Sequence, residues 1–326
     1  MQQHAIVNNI FNARLSFEQK AIQVLQYQHA NNPVFTQWNE FLNTDIASVS
    51  SLNHVPFLPI SFFKTHRVTC GDFEPEYIFE SSGTTQSATS RHYVKTGQIY
   101  RQSFFKGFEM FYGNIKDWCI IGLLPSYLER KNSSLVVMVD ELIKASVHNA
   151  SGFYLDDFKK LNQTLLLLEG SRQKTLLIGV TFALLDFAEQ YPIKLNYTTL
   201  METGGMKGRR KELTREEVHR ILCSQFGLQT VHSEYGMTEL LSQAYSKGGG
   251  KFLCPPWMKV LVRDEEDPLA VMQEGRGVLN IIDLANTGSC SFIATDDAGI
   301  VHADGSFEVI GRVDNSDIRG CSLLFN

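Results

Sequence analysis

Thr230-Val231-His232-Ser233-Glu234-Tyr235-Gly236-Met237-Thr238-Glu239 is a strand-like run that passes without a break into an aromatic ring, a glycine, a hydroxyl and a carboxylate. In an open α/β sheet, ligands bind beyond the carboxyl ends of the strands. This one stretch therefore sets an expectation for both fold and site. The ring of Tyr235 can stack on a base and Thr238 can contact a phosphate. Glu239 can hold Mg²⁺, a hard ion that takes oxygen ligands. The same residues also fit the start of a helix with Thr238 near its cap.

Working outward, the plan repeats. Residues 118–125 are largely apolar and stop at Pro125, which reads as a buried strand of a parallel sheet. Residues 176–180 read as a second such strand, with Thr181 opening a helix. Residues 197–203 read as a third, ended by Gly204-Gly205. Helical spacing recurs over 97–112 (Ile99, Phe104, Phe105, Phe108, Met110), 135–143 and 158–168, and Thr214-Arg215-Glu216-Glu217 is a capping box for a helix through Cys223. Residues 75–240 thus alternate strand and helix, the pattern of a doubly wound layer. Upstream, Ile10, Phe11, Leu15, Ala21, Ile22 and Leu25 have helical spacings, Asn32-Pro33 breaks the pattern, and a second helix is expected over 36–42. Past residue 250, Pro255-Pro256 and Asp267-Pro268 interrupt the chain. Residues 278–282, 291–295, 299–301 and 307–310 read as short antiparallel strands. The expected organisation is a helical segment plus α/β body over 1–250 and a β subdomain over 251–326.

Composition narrows the classes. A chain of 326 residues with 43% hydrophobic and 20% charged residues is an ordinary globular protein of one large or two ordinary domains. The net charge of −5, with no basic run, argues against a nucleic-acid or anionic-membrane partner. Six scattered cysteines without a C-x-x-C pair give neither a disulfide framework nor a zinc site, and fit reduced thiols in the cytoplasm. No signal peptide is read at the N-terminus. The most apolar stretch, 176–187, is interrupted by Thr181 and Asp186 and is too short to span a bilayer. The 22 phenylalanines fit a bulky core or a pocket for a chain or ring.

Three other stretches carry chemistry. Glu80-Ser81-Ser82-Gly83-Thr84-Thr85-Gln86-Ser87-Ala88-Thr89-Ser90-Arg91 is rich in small hydroxylated residues that let backbone and hydroxyl donors surround an anion. It lacks the spacing of a Walker A loop, and it also fits a disordered Ser/Thr loop. Glu202-Thr203-Gly204-Gly205-Met206-Lys207-Gly208 allows close approach to a flat ligand, or is a plain turn. Finally, Asp297 can accept both hydroxyls of a ribose and Arg312 suits ribose or phosphate. Asp and Gly are equally the residues of hairpin turns.

In this order the four stretches resemble the adenylate-forming superfamily of acyl- and aryl-CoA ligases, luciferases and adenylation domains. Residues 81–87 match its [ST]-[SG]-G-[ST]-[ST]-G loop, with Gln86 at the last glycine. Residues 235–239 match Y-G-x-T-E, Thr295-Asp296-Asp297 resembles T-G-D, and Gly311-Arg312-Val313-Asp314 matches G-R-x-D. Longer members continue into a mobile C-terminal lid domain that carries a lysine, and this sequence stops at Asn326. It is similar to a shorter branch related to phenylacetate-CoA ligases, the acyl-protein synthetases of bacterial bioluminescence. Residues 202–208 and Arg319-Gly320-Cys321-Ser322 carry that likeness.

The resemblance implies the large-domain fold of adenylate-forming enzymes, a layered α/β body with a smaller antiparallel β subdomain and no lid. It implies a ligase that uses ATP and Mg²⁺ to turn a carboxylic acid, a long-chain fatty acid above others, into an acyl-adenylate. Ser81, Ser82, Gly83, Thr84 and Thr85 would grip the β,γ-phosphates. Thr238 would contact the α-phosphate, and Glu239 would ligate Mg²⁺. Gly204, Gly205, Tyr235 and Gly236 would form the adenine side of the site, Asp297 would hold the ribose, and Arg312 would lie nearby. Arg91, His92, Lys207 and Arg319 are candidates for the cation that a lid lysine would supply. Cys321 would take the acyl group as a thioester and pass it to a partner such as a reductase or carrier protein. As a residue, Cys321 also fits an ordinary thiol in an apolar tail. Transfer directly to coenzyme A or a carrier, and nucleotide binding without turnover, are the alternatives.

Overall fold

The structure, a computed structural model, describes residues 3–12, 14–81, 89–125, 132–204 and 213–313. Three helices begin the chain: α1 (Gln3–Ile10), α2 (Phe17–Asn31) and α3 (Pro33–Phe41). Ser16 caps α2 with a full capping box to Gln19. Asn32 ends α2 and caps α3, whose first residue is Pro33. The helix expected from residue 36 thus starts three residues earlier, because the fixed φ of proline suits a first helical turn.

Next come β1 (Leu58–Pro59), a single turn α4 (Phe62–Thr65), and an antiparallel pair, β2 (Tyr77–Glu80) with β3 (Arg91–Val94). The helix α5 (Gly97–Tyr112) then leads into the main sheet. Its elements are β4 (Cys119–Leu123), α6 (Ser134–Ser146), β5 (Gly152–Phe153), α7 (Phe158–Gly170), β6 (Thr175–Gly179), α8 (Thr181–Gln190), β7 (Thr198–Glu202), α9 (Arg215–Phe226), β8 (His232–Tyr235) and β9 (Ala244–Ser246). The strand order is β5-β4-β6-β7-β8-β9; the first five run parallel and β9 antiparallel. Every residue of β4 and β6 is buried, which is why both read as unbroken apolar runs. The Thr214–Glu217 capping box starts α9 as its sequence requires.

The second sheet is formed by β10 (Met258–Arg263), β11 (Val271–Met272), β12 (Gly275–Asp283), β13 (Phe292–Val301) and β14 (Phe307–Arg312), in antiparallel pairs. The stretches 291–295 and 299–301, expected as two strands, are one. At Gly299 a β-carbon would stand 2.3 Å from the Glu308 carbonyl oxygen, so a glycine carries β13 through a register shift instead of ending it. One strand comes from far away in sequence: β1 lies parallel to β13, with Leu58 opposite Ile293. Among the described residues, no helix is long and apolar enough to cross a membrane.

Candidate active site

The run from Tyr235 to Glu239 leaves β8 as a turn and does not start a helix. Its backbone is held from two sides. The two ring nitrogens of His92, on β3, lie 2.9 Å from the Thr238 carbonyl and 2.9 Å from the Asn286 side-chain oxygen. The Asn286 amide nitrogen donates to the Glu239 carbonyl at 2.8 Å and to the Cys290 carbonyl at 2.8 Å. Just beyond, Asp283 accepts from the Leu241 N–H at 2.7 Å and the Ser242 hydroxyl at 2.6 Å. His92 is fully enclosed, and burial drives its proton affinity down to about 4. The bonds to Thr238 and Asn286 oppose that fall, and with both nitrogens engaged inside the protein His92 ties β3 to the turn.

The Ser/Thr/Gly loop joins this turn at its stem. The Ser81 N–H donates to the Ser90 carbonyl at 3.1 Å, and the Ser90 N–H to the Ser81 hydroxyl at 3.0 Å. The Ser90 hydroxyl also bonds the Glu239 carboxylate. Ser82, Gly83, Thr84 and Thr85 lie outside the described residues. Arg91 is paired with Glu80 at 3.2 Å, its side chain 57% exposed.

Glu239 is buried, and burial raises its proton affinity. Among the described residues no cationic side chain lies within ion-pair distance of it. One buried carboxylate without an ion-pair partner among the described residues, at the stem of the Ser/Thr/Gly loop, has the chemistry to hold Mg²⁺. That ion is usually bound by one or two carboxylates together with substrate phosphates.

On the other side of β8, the Tyr235 hydroxyl donates to Asp297 Oδ2 at 2.7 Å, and Arg312 Nε lies 3.5 Å from Asp297 Oδ1. Asp297 on β13 is directly opposite Arg312 on β14, so the sheet register makes the ion pair. The Tyr235 ring is wedged against Phe252 and Phe307. Burial raises the Asp297 proton affinity, and the tyrosine and arginine oppose that rise.

Gly204 completes the rim. Its φ of +72° is costly for any residue with a β-carbon, and its N–H donates to Glu202 Oε2 at 2.7 Å. Glu202 also accepts from the Thr181 hydroxyl at 3.1 Å and from Arg215 Nε at 3.3 Å. Against its burial, His219, Arg215, the Gly204 N–H and Ser233 hold this carboxyl down to about 2. Gly205, Lys207, Arg319 and Cys321 lie outside the described residues.

Tyr235, Asp297 and Arg312 thus form one bonded group, and Ser81, Thr238 and Glu239 a second, joined through β8. Glu202 opens the stretch 202–208 without any sign of a bracing role, and Asp283 and Asn286 carry no sequence signal of their own. Each is a single polar residue in ordinary strand-end or loop text, and its role appears only when distant segments meet.

The sequence pattern of the family described as "Acyl-protein synthetase, LuxE" matches residues 9–326. The chain belongs to the LuxE acyl-protein synthetase family. It is 25% identical over 324 residues to the long-chain-fatty-acid–luciferin-component ligase of Vibrio harveyi, covering 91% of this chain and 84% of that protein. Membership in the LuxE family makes the chain a ligase of the acid-activating type. Among solved structures, the ATP-bound MatB of Rhodopseudomonas palustris matches with a TM-score of 0.55 at 16% identity, over 72% of this chain and 47% of MatB. Apo MatB from the same organism gives 0.53 at 16% identity, over 73% and 48%. The chain spans about half the length of these structures, and the likeness establishes the fold of adenylate-forming enzymes.

Proposed function

We propose that this chain activates a carboxylic acid with ATP to an acyl-adenylate and then passes the acyl group to the Cys321 thiol. The observation that carries the proposal is the bond linking Tyr235 to Asp297 while the neighbouring Glu239 is tied to the stem of the Ser/Thr/Gly loop. A ribose-type carboxylate group and a phosphate-type loop thereby flank one strand end. The substrate carboxylate attacks the α-phosphorus, the bond to pyrophosphate breaks, and pyrophosphate leaves with its electron pair. Ser81 to Thr85 hold the phosphates, Thr238 faces the α-phosphate, Gly204, Gly205 and Tyr235 border the base, and Arg91 offsets charge. Glu239 holds Mg²⁺, which neutralises phosphate charge when bound. The Cys321 thiolate then displaces AMP to give a thioester, and a reductase or carrier protein accepts the acyl group.

The name of the Vibrio relative supports a fatty acid, and the ATP-bound MatB supports ATP. The free cysteines Cys70, Cys119, Cys223, Cys254 and Cys290 support a reducing cytoplasm. The division at residue 250 belongs to the same proposal. Exchange of labelled pyrophosphate into ATP, dependent on added acid, is the test. Exchange retained in Cys321→Ser with loss of hydroxylamine-sensitive acylation is expected. Undiminished acyl transfer from that variant would assign transfer to coenzyme A or a carrier directly.

A further inference from the structure

Along β8 successive side chains point to opposite faces. Tyr235 therefore faces Asp297, and Glu234 faces the other way, into a separate cavity of about 190 Å³ at the ends of β7 and β8. Thr238 and Gly236 are part of its lining, so the cavity lies beside the turn proposed above to meet the α-phosphate. Leu135 and Met138 of α6 give it an apolar wall.

Glu234, Gln243 and Thr203 line the cavity together with Glu80 and Tyr100, whose side chains are paired with Arg91 and with the Ser134 carbonyl. Glu234 is 9% exposed and Gln243 7% exposed. The Gln243 side-chain oxygen and the Thr203 hydroxyl have no hydrogen-bond partner among the described residues. Burial, with the Glu202 carboxylate nearby, pushes the Glu234 carboxyl up to about 8. At neutral pH it thus carries a proton and can both donate and accept. A β-carbon at Gly236 would stand 2.5 Å from Glu234 Oε1, so the glycine leaves room for that carboxyl. A native interior rarely leaves buried polar groups unpaired without a reason, and two of the five such side-chain atoms among the described residues line this one cavity.

We propose that the acid activated by this chain bears an O–H or N–H donor on its chain beyond the carboxyl, and that Glu234, Gln243 and Thr203 receive it. The assignment rests on the adenylation proposed above and narrows its substrate. A plain alkyl chain would leave the same polar atoms facing methylenes, which sites of this kind reject at least about tenfold.

The test uses the full chain and acids matched in carbon number: alkanoic, hydroxyalkanoic and aminoalkanoic. In pyrophosphate exchange, kcat/KM for a hydroxy or amino acid is expected to exceed that of its plain counterpart at least tenfold, and the two arms identify the donor. Gln243→Leu should bring the two classes within about threefold, through KM. A plain acid that equals or exceeds its substituted counterparts in the unaltered chain overturns the proposal and leaves adenylation standing. Exchange with no acid at all would instead sink adenylation. The proposal is then decided by thermal unfolding: protection by substituted acids alone keeps it, and no selective protection overturns it.

Discussion

The Tyr235 hydroxyl and Asp297 Oδ2, 2.7 Å apart, join the end of the parallel sheet to the middle of the antiparallel one. The tyrosine is fixed by Phe252 and Phe307, so Asp297 has one defined position before any ligand arrives. A hydrogen bond to a charged group is worth about 1.5–3 kcal/mol. Tyr235→Phe should therefore raise the KM for ATP about tenfold or more and leave kcat within about twofold. Steady-state exchange kinetics at saturating acid measure this, and an unchanged KM would remove Asp297 from nucleotide binding.

His92 is expected to act through geometry. A neutral imidazole has one N–H, and its two nitrogens face the Thr238 carbonyl and the Asn286 side-chain oxygen. His92→Phe should lower the exchange rate about a hundredfold with a smaller change in ATP binding. His92→Gln, which can still donate, should recover part of the loss. Equal damage from both variants would point to packing alone.

Glu239→Gln keeps the shape of the side chain and removes the charge. The Mg²⁺ concentration for half-maximal exchange should rise at least about tenfold, and chelation should abolish exchange in the unaltered chain. A superimposable Mg²⁺ titration would assign the metal to other ligands.

Arg91→Ala separates stability from chemistry. Its pair with Glu80 is largely exposed, and such pairs contribute about 0–1 kcal/mol. The melting temperature should stay within about 2 °C, while the exchange rate falls well beyond any change in ATP affinity. A normal rate would exclude Arg91 from the charge-offsetting role.

Glu234 gives a pH signature. Its proton affinity is higher in the folded chain, about 8, than in an unfolded one, about 4.3. The folded state then binds more protons between these values, so the group's contribution to stability is intact below about pH 4.3 and is lost as pH rises through 8. Glu234→Gln should match the unaltered chain near pH 4.5 and exceed it at pH 8.5, with the gap opening steadily between. Denaturant titrations across that range would show it, and a gap independent of pH would contradict the burial of this carboxyl.

The parallel strands are legible in the sequence because β4 and β6 are buried on both faces, which leaves apolar residues at every position. The order of Ser81, Gly204, Tyr235, Asp297 and Arg312 is legible as a run of motifs, and the contacts that join Tyr235, Asp297 and Arg312 appear only in the structure. By contrast, β10 lies just past Pro255-Pro256, where the breaker signal is the stronger one. Neither β1, two residues long, nor Asn286 has any local mark. β1 pairs with a strand more than two hundred residues away and the Asn286 side chain meets His92 at a separation of 194, and no window of sequence holds both members of such a pair.

Those distant partners also set the order in which the protein can be completed. Gln28 donates to the Asn286 carbonyl across 258 positions of chain, and the Cys70 N–H to the Gly288 carbonyl. Closing loops of this size costs entropy before any contact rewards it, and chains rich in such contacts fold slowly. The parallel sheet can assemble while the chain is still being made. The loop that positions Glu239 cannot, because its braces arrive only after residue 286 leaves the ribosome. The turn at Thr238 and Glu239 thus gains its Asn286 brace only after every strand of the parallel sheet has been made.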